Sequence, residues 1–361
     1  MSLQFIIGSS GIGKTHYACQ RIIQESLENP GKLYYIIVPE QFTMQTQKNV
    51  VEMHPGKGIL NIDVLSFQRL AYRVFEEVGG AREVLLDDTG KSLVLQKLVQ
   101  QHKKELPYLG SQMNKPGYLD EVKSLISEFM QYDIRQEELS DMLEKTGEDS
   151  LLQMKMNDVS VLYQAFTDYL EGHYMTGEGV MDALKKAIPF SRKLKNSVLL
   201  LDGFTGFTPV QMNVIRELLA VCDQVLVTVT MDVKENPLQM GKPHQLFYMS
   251  RKMIHTLSGL TNDLDDPVYL KEEKKGRFSD APALGFLEQH LFRYRKAAYG
   301  KSQDEIRIFA AESPIKELEE TARRIRRMVR EEDLKYGEIA VITGNLESYK
   351  SIASQVFEEA Q

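Results

Sequence analysis

Residues 5–23 read FIIGSSGIGKTHYACQRII, and the fold turns on what this run does between its two apolar ends. Its centre, Gly8 to Thr15, fits the phosphate-binding pattern G-x-x-x-x-G-K-[ST]. That pattern carries chemistry only when a buried strand feeds the loop and a helix leaves it. Leu3 to Ile7 is a short apolar run suited to a buried parallel strand, and from Lys14 onward Tyr17, Ala18, Arg21, Ile22 and Ile23 recur with helical spacing. In this reading Gly8, Ser9, Ser10, Gly11, Ile12 and Gly13 bring backbone N–H groups to phosphate oxygens. Lys14 adds a point charge for the β- and γ-phosphates, and Thr15 offers its hydroxyl to Mg²⁺. ATP with Mg²⁺ is the expected ligand. The bland alternative is a glycine-rich turn that matches by chance, and the flanks argue against it.

Working outward, apolar runs recur at Leu33 to Val38, Ile59 to Leu65, Val198 to Leu201 and Val225 to Val229. Each is followed by a polar turn or a helical pattern, so these are expected as the parallel strands of a doubly wound α/β sheet. Between Val84 and Leu194 strand character nearly disappears. Helices are expected instead at Gly90–Lys104, Gly117–Tyr132, Gln136–Lys145, Asn157–Tyr174 and Gly179–Ala187, with Leu119, Val122, Leu125, Ile126 and Phe129 as a typical apolar stripe. An all-helical insertion inside the sheet domain follows. The stretch from Asn262 to Ala283, rich in Asp and Lys, is expected as a surface loop.

A second sheet is expected from about Asp304. EIRIFAAES (305–313) reads as a strand, Ser313-Pro314 opens a strong helix, and EIAVITGN (338–345) reads as another buried strand. Two strands cannot close such a core, so the sequence is expected to be the N-terminal piece of a longer chain.

Composition sets outer limits. A chain of 361 residues, 42% hydrophobic and 26% charged, can bury two or three cores. Its net charge of −7 argues against a generally basic nucleic-acid binder but leaves a locally positive cleft open. Cys19 and Cys222 are too few for a four-thiolate metal or iron–sulfur site, and a reduced, cytoplasmic setting is expected. No apolar run reaches about 18 residues, so no membrane span is expected.

The run SVLLLDGFTGFTPVQMNVIRELL (197–219) returns to the phosphate loop. A strand ending in an acid, Asp202, is how P-loop proteins hold the Mg²⁺ of bound nucleotide. Gly203 follows it, where helicase-type ATPases place the Glu that activates the attacking water. Thr208-Pro209-Val210-Gln211 reads as a capping box with Pro at the first helical position. Phe204 and Phe207 stand between two readings, a packed turn and a ligand contact.

At this point several segments together resemble a known family. FIIGSSGIGKT (5–15), IVPEQFTMQTQ (37–47), IDVLSFQRLAYRVFEEVGG (62–80), LLLDGFTGFTPVQ (199–211), IRIFAAESPIKELEETARRIRRMV (306–329) and YGEIAVITGN (336–345) are similar, in this order, to the N-terminal part of the AddB (RexB) family. These are the B subunits of the bacterial ATP-dependent helicase/nuclease AddAB. The resemblance implies an α/β fold of the P-loop NTPase, superfamily 1 helicase-like type. Domain 1A would comprise residues 1–84 and 195–300, an inserted helical domain 1B residues 85–194, and residues 301–361 would open domain 2A. It further implies a heterodimer with an AddA subunit that drives translocation, action on single- and double-stranded DNA in double-strand break repair, and a contribution to Chi recognition. A nuclease domain with an iron–sulfur cluster would follow beyond Gln361.

The departures from a working motor agree with the AddB role. Gly203 replaces the catalytic Glu, and Gly344 stands where helicases usually carry an Arg near the γ-phosphate. Each loss removes a base or a cation from the transition state, so binding without efficient turnover is expected, and no catalytic residue is assigned. For DNA, Gln41, Phe42, Ser66, Gln68 and Arg69 fall just beyond expected strand ends, the edge where open α/β sheets bind ligands. Phe67, Leu70, Ala71, Val74 and Phe75 have core spacing instead. Arg323, Arg324, Arg326, Arg327 and Arg330 share their helix with Glu317, Glu319, Glu320, Glu331 and Glu332, which favours a solvated, ion-paired face. Two other classes stay open: a competent P-loop motor that draws its base from elsewhere, and a scaffold for AddA that binds no nucleotide.

Overall fold

The structure, a computed structural model, describes residues 2–79, 83–113, 115, 117–144, 151–271, 277–293, 297–346 and 348–359. Among the described residues there are eight strands: β1 (Ser2–Gly8), β2 (Tyr34–Ile37), β3 (Ile62–Leu65), β4 (Val84–Leu85), β5 (Tyr174–Met175), β6 (Val198–Leu201), β7 (Gln224–Thr230) and β8 (Val268–Tyr269). Six of them form one parallel sheet in the order β3-β2-β6-β7-β1-β8. The helices up to the last strand are α1 (Lys14–Glu28), α2 (Thr43–Met53), α3 (Phe67–Val78), α4 (Asp88–Gln101), α5 (Leu109–Gln112), α6 (Tyr118–Gln131), α7 (Gln136–Glu144), α8 (Leu151–Leu170), α9 (Gly177–Ala187), α10 (Pro209–Val221) and α11 (Tyr248–Ser258). After it come α12 (Pro282–His290), α13 (Pro314–Glu331) and α14 (Lys350–Glu359).

The near-continuous apolar strands are explained by burial on both faces. Successive side chains of a strand point to opposite faces. Leu3, Phe5, Ile7, Tyr35, Ile37, Leu199, Leu201, Val225, Val227 and Val229 therefore enter one core, against residues of α3, α9, α10 and α11. Their neighbours Ile6, Tyr34, Ile36, Val198, Leu200 and Leu226 enter the other, against Ala18, Cys19, Ile22 and Ile23 of α1 and Val50 of α2. Fully burying one such side chain stabilises by about 1.5–3 kcal/mol, so both layers hold the sheet.

Between β3 and β6 the chain leaves the sheet. Val94, Leu95, Leu98, Leu106, Val122, Ile126, Phe129, Leu162 and Phe166 form a separate helical core. Asp158, almost wholly buried, accepts from the backbone N–H groups of Tyr108 and Leu109 at 2.9 and 2.6 Å, which supplies the short α5 with its N-terminal partners. By contrast Val180, Met181 and Leu184 of α9 pack into the sheet's core with α3 and α10. A buried ion pair joins these regions: Lys91 of α4 donates to both carboxylate oxygens of Glu178 in α9, at 3.1 and 3.0 Å. Lys145, the expected last residue of one helix, lies outside the described residues.

Two expectations need correction. The segment 262–283, read as a loop, contains β8, whose Val268 and Tyr269 pair with Ile6 and Ile7 on the free edge of β1. Two residues set among Asp, Lys and Glu give no apolar run. What recruits them is the unpaired edge of β1, a long-range property. Residues 272–276 of that segment lie outside the described residues.

The second correction concerns residues 305–313 and 338–345. By contacts the chain divides into two compact units, Met1–Asp280 with Leu291–Tyr294, and Ala281–His290 with Arg295–Gln361. Among the described residues of the second unit no strand forms. Ile308 is 94% and Ile342 92% exposed, so neither run is buried. A strand needs a neighbour for its backbone groups and a layer for its side chains, and the two runs do not pair with each other. The helix between them forms as expected: Ser313 caps α13, accepting from the Lys316 N–H, Pro314 stands at its first position, and Leu318 and Ala322 pack with Val356 of α14. Three of its arginines are engaged by acids, Arg323 and Arg324 with Glu320, and Arg327 with Glu331 at 3.9 Å.

Candidate functional site

The loop between β1 and α1 is shaped by its glycines. Gly11 has φ +76° and Gly13 φ +95°, both in the left-handed region that side chains disfavour. Gly8 is required for space instead, because a Cβ there would lie 2.6 Å from Ile12 Cγ2. Gly13 is the N-cap of α1, and no side chain caps that helix. Its first N–H groups thus remain available to an anion, which the helix dipole also favours.

Around this loop lies a cavity of about 720 Å³, lined by Gly11, Gly13, Lys14 and Thr15, by Thr46, Asn49 and Glu52 of α2, and by Asp202, Thr228, Thr230 and Arg277. Lys14 reaches back along the loop, its Nζ donating to the Ser9 carbonyl at 2.8 Å. The Thr15 hydroxyl donates to Asp202 Oδ1 at 3.1 Å, joining two segments 187 residues apart in sequence. Asp202, 5% exposed, is fixed at the end of β6, where its N–H donates to the Ile37 carbonyl at 3.0 Å. A second hydroxyl, that of Thr228 in β7, donates to the same Oδ1 at 2.6 Å. The register explains the meeting, since β7 lies between β1 and β6 and pairs with both.

These groups fit a magnesium ion that arrives with a phosphate ligand. A hydroxyl and a carboxylate in hydrogen-bond contact are hard oxygen donors of the type Mg²⁺ takes alongside phosphate oxygens. Among the described residues no three His, Cys, Asp or Glu side chains gather as a protein-only metal site. An iron–sulfur cluster does not fit, because Cys19 and Cys222 are single buried thiols in different cores. Burial, with the nearby Asp202 carboxylate adding to it, pushes the Cys19 thiol up to about 12.

Gly203 has φ +78°, and its N–H donates to Thr228 Oγ1 at 3.4 Å. The position after Asp202 is thus a left-handed turn, suited to glycine. Phe204 and Phe207 pack on each other and on Phe67, with ring centroids 4.9 to 6.3 Å apart, against the sheet's core. Phe204 also lines the cavity. The capping box of α10 is present, Thr208 accepting from the Gln211 N–H and the Gln211 side chain accepting in return from the Thr208 N–H.

Gln41, Phe42, Ser66, Gln68 and Arg69 gather beyond the C-terminal ends of β2 and β3. Gln41 and Phe42 are exposed on a single 3₁₀ turn, Glu40–Phe42. Ser66 is buried and caps α3, accepting from the Arg69 N–H. Arg69 pairs with Glu40 at 3.2 Å. Ser66 and Gln68 line a second cavity of about 450 Å³ with Glu40, Gln131, Glu178 and Gln211.

Sequence reading missed Thr228, Arg277 and the α2 residues. Thr228 did leave a signal, a hydroxyl in the otherwise apolar buried run 225–229. Arg277 left none. It follows β8 closely, and its side chain lies so near Gly11 that a Cβ there would sit 3.1 Å from Arg277 Cδ.

Fold and site together define a parallel α/β protein whose glycine loop, Lys14, Thr15 and a strand-end acid meet at one cavity on the C-terminal edge of the sheet. Residues 5–288 match the family described as "ADDB, N-terminal", and the chain belongs to that family. It is 41% identical over 367 residues to the ATP-dependent helicase/deoxyribonuclease B subunit of Lachnoclostridium phytofermentans, an alignment covering 100% of this chain and 32% of that protein. Proteins of the same description from Clostridium novyi and Clostridium acetobutylicum are 32% and 33% identical, with 99% of this chain covered in each and 32% and 31% of theirs. The chain therefore spans about a third of the length of these relatives. No helix among the described residues is long and apolar enough to cross a membrane.

Proposed function

We propose that the glycine loop is a P-loop that holds Mg-ATP, and that the chain is the helicase-like N-terminal part of an AddB-type protein which binds ATP without efficient hydrolysis. The observation that carries this is the contact of Thr15 with Asp202 at 3.1 Å on the cavity that Lys14 lines. Backbone donors of residues 8–15 would take the phosphates, with Lys14 and Arg277 adding positive charge. Thr15 and Asp202 would hold the magnesium, which neutralises phosphate charge when bound. Weak turnover is supported by Gly203, since no carboxylate follows Asp202 and the backbone there disfavours one. Residues 1–84 and 195–300 would then be domain 1A, 85–194 domain 1B, and 301–361 the opening of domain 2A.

Beyond the nucleotide, the names of the relatives support a role alongside a partner chain in ATP-dependent processing of DNA. We assign to this chain guidance of single-stranded DNA across the edge formed by Gln41, Phe42, Ser66, Gln68 and Arg69, within a cytoplasmic AddA-type heterodimer that processes double-strand breaks and reads Chi. Nuclease activity and an iron–sulfur cluster are proposed for the part of such proteins that this chain does not span. The test is equilibrium binding of a fluorescent ATP analogue with magnesium. Binding by wild type that falls at least tenfold in Lys14→Ala is expected, and equal binding by the variant would sink the proposal.

A further inference from the structure

The hydroxyl of Thr228 needs an explanation. β7 places Val225, Val227 and Val229 in one core and Leu226 in the other, beside Ile6, Ile36 and Leu200. Thr228 shares that second face, pairs in register with Ile6 and is 4% exposed. Valine has nearly the same shape and would pack there without a polar atom. A buried hydroxyl is costly unless it is hydrogen-bonded. Here it is bonded twice, donating to Asp202 Oδ1 at 2.6 Å and accepting from the Gly203 N–H at 3.4 Å.

We propose that Thr228 is a positioning residue for the magnesium-binding carboxylate. This rests on the reading of the cavity as a Mg-ATP site. Both Thr228 and Thr15 donate to one oxygen, Asp202 Oδ1, but the two bonds differ in kind. Thr15 is exposed on α1, and its hydroxyl is the one that a magnesium ion would engage, so its bond to Asp202 is exchangeable. Thr228 sits on a buried strand and donates to the same oxygen at 2.6 Å, so its bond need not break when magnesium takes the Thr15 hydroxyl. It fixes the rotation of the carboxylate while the Thr15 hydroxyl leaves, and ties it to the left-handed Gly203 turn. Without it, nothing on β7 would keep Oδ1 oriented, and the carboxylate would be free to follow Thr15. Partners that orient a metal ligand from outside the coordination shell typically change metal affinity about 10–100-fold.

The experiment titrates magnesium into the 361-residue chain with a fluorescent ATP analogue, and repeats the binding in EDTA, for wild type, Lys14→Ala, Thr228→Val, Thr228→Ala and Thr228→Ser. The Val and Ala variants are expected to need about tenfold more magnesium for half-maximal enhancement of binding. Their affinity in EDTA should match wild type, and Ser should restore the wild-type midpoint. Thr228→Ala removes the hydroxyl without setting a methyl beside the carboxylate, so it serves if the Val variant fails to fold. An unchanged magnesium midpoint in Val and Ala overturns the proposal, as does a midpoint shifted equally in Ser. A lower melting temperature with an unchanged midpoint leaves Thr228 a packing role only and also overturns it. Wild type that binds no analogue with magnesium, or Lys14→Ala that binds as well as wild type, overturns the nucleotide reading itself and this inference with it.

Discussion

Replacing Gly203 by alanine isolates one cost. At φ +78° a Cβ would meet only Pro39 Cδ at 3.7 Å, ordinary van der Waals contact, so the site has room. What remains is the backbone: an L-residue in the left-handed region costs about 1–2 kcal/mol. For a unit of this size each kcal/mol lowers the melting temperature by about 2–4 °C, so Gly203→Ala should melt about 2–8 °C below wild type. Its urea midpoint should fall with an unchanged slope. Gly177→Ala is the control, since that helical glycine has no positive φ and no neighbour within 4 Å, and it should be as stable as wild type or more so. Gly203→Glu should carry the same penalty and still leave ATP turnover at background, because its side chain would leave a left-handed backbone. Wild-type stability in Gly203→Ala, or Lys14-dependent turnover in Gly203→Glu, would refute the reasoning.

Gly11→Ala adds steric overlap to the same backbone cost, since its Cβ would lie 3.1–3.2 Å from Arg277 and Phe278. It should weaken binding of an ATP analogue more than Gly31→Ala, a site with open space, and this is readable in one titration. Lys91→Met would leave Glu178 buried without its cation and should cost about 3–5 kcal/mol in chemical unfolding. Burial pushes the Glu178 carboxyl up, but backbone N–H donation, Lys91 and Thr176 together hold it below the ordinary carboxylate value. A depressed carboxylate contributes stability above its unfolded value that is lost as pH falls through the folded one. Lys91→Met removes part of that contribution, so the stability gap between wild type and variant should be widest near neutrality and narrow as pH falls, which urea unfolding would follow across pH 3–6, a range set at about 1.5 units either side of the unperturbed Glu value. The thiols of Cys19 and Cys222, pushed up to about 12 and about 11 mainly by burial, should resist alkylation at pH 8 until the chain is unfolded, which mass spectrometry would detect.

What the sequence made legible was local. The five strands with apolar runs are present because each is buried on both faces, and α1 carries its spacing, and α3, α10 and α13 their spacing and caps, in a few adjacent residues. The meeting of Thr15 and Asp202 was inferable only because both belong to recognised patterns. Val268 and Tyr269 were invisible as a strand, because the edge of β1 that recruits them lies more than 250 residues earlier. The runs at 305–313 and 338–345 show the reverse: β-like composition without neighbours leaves Ile308 and Ile342 in solvent. Thr228 and Arg277 reach the site through sheet order, which no single segment encodes.

The central claim, a phosphate cradle that holds ATP without using it, is tested most directly by single-turnover hydrolysis. The chain would be held in excess over radiolabelled Mg-ATP, with and without single-stranded DNA, beside Lys14→Ala. The account predicts that wild type binds the ATP and leaves it intact over many minutes, while the variant does not bind it. Hydrolysis that is stimulated by DNA and lost in Lys14→Ala would contradict the account, and would make Glu52, which lines the same cavity, the first residue to test as the missing base.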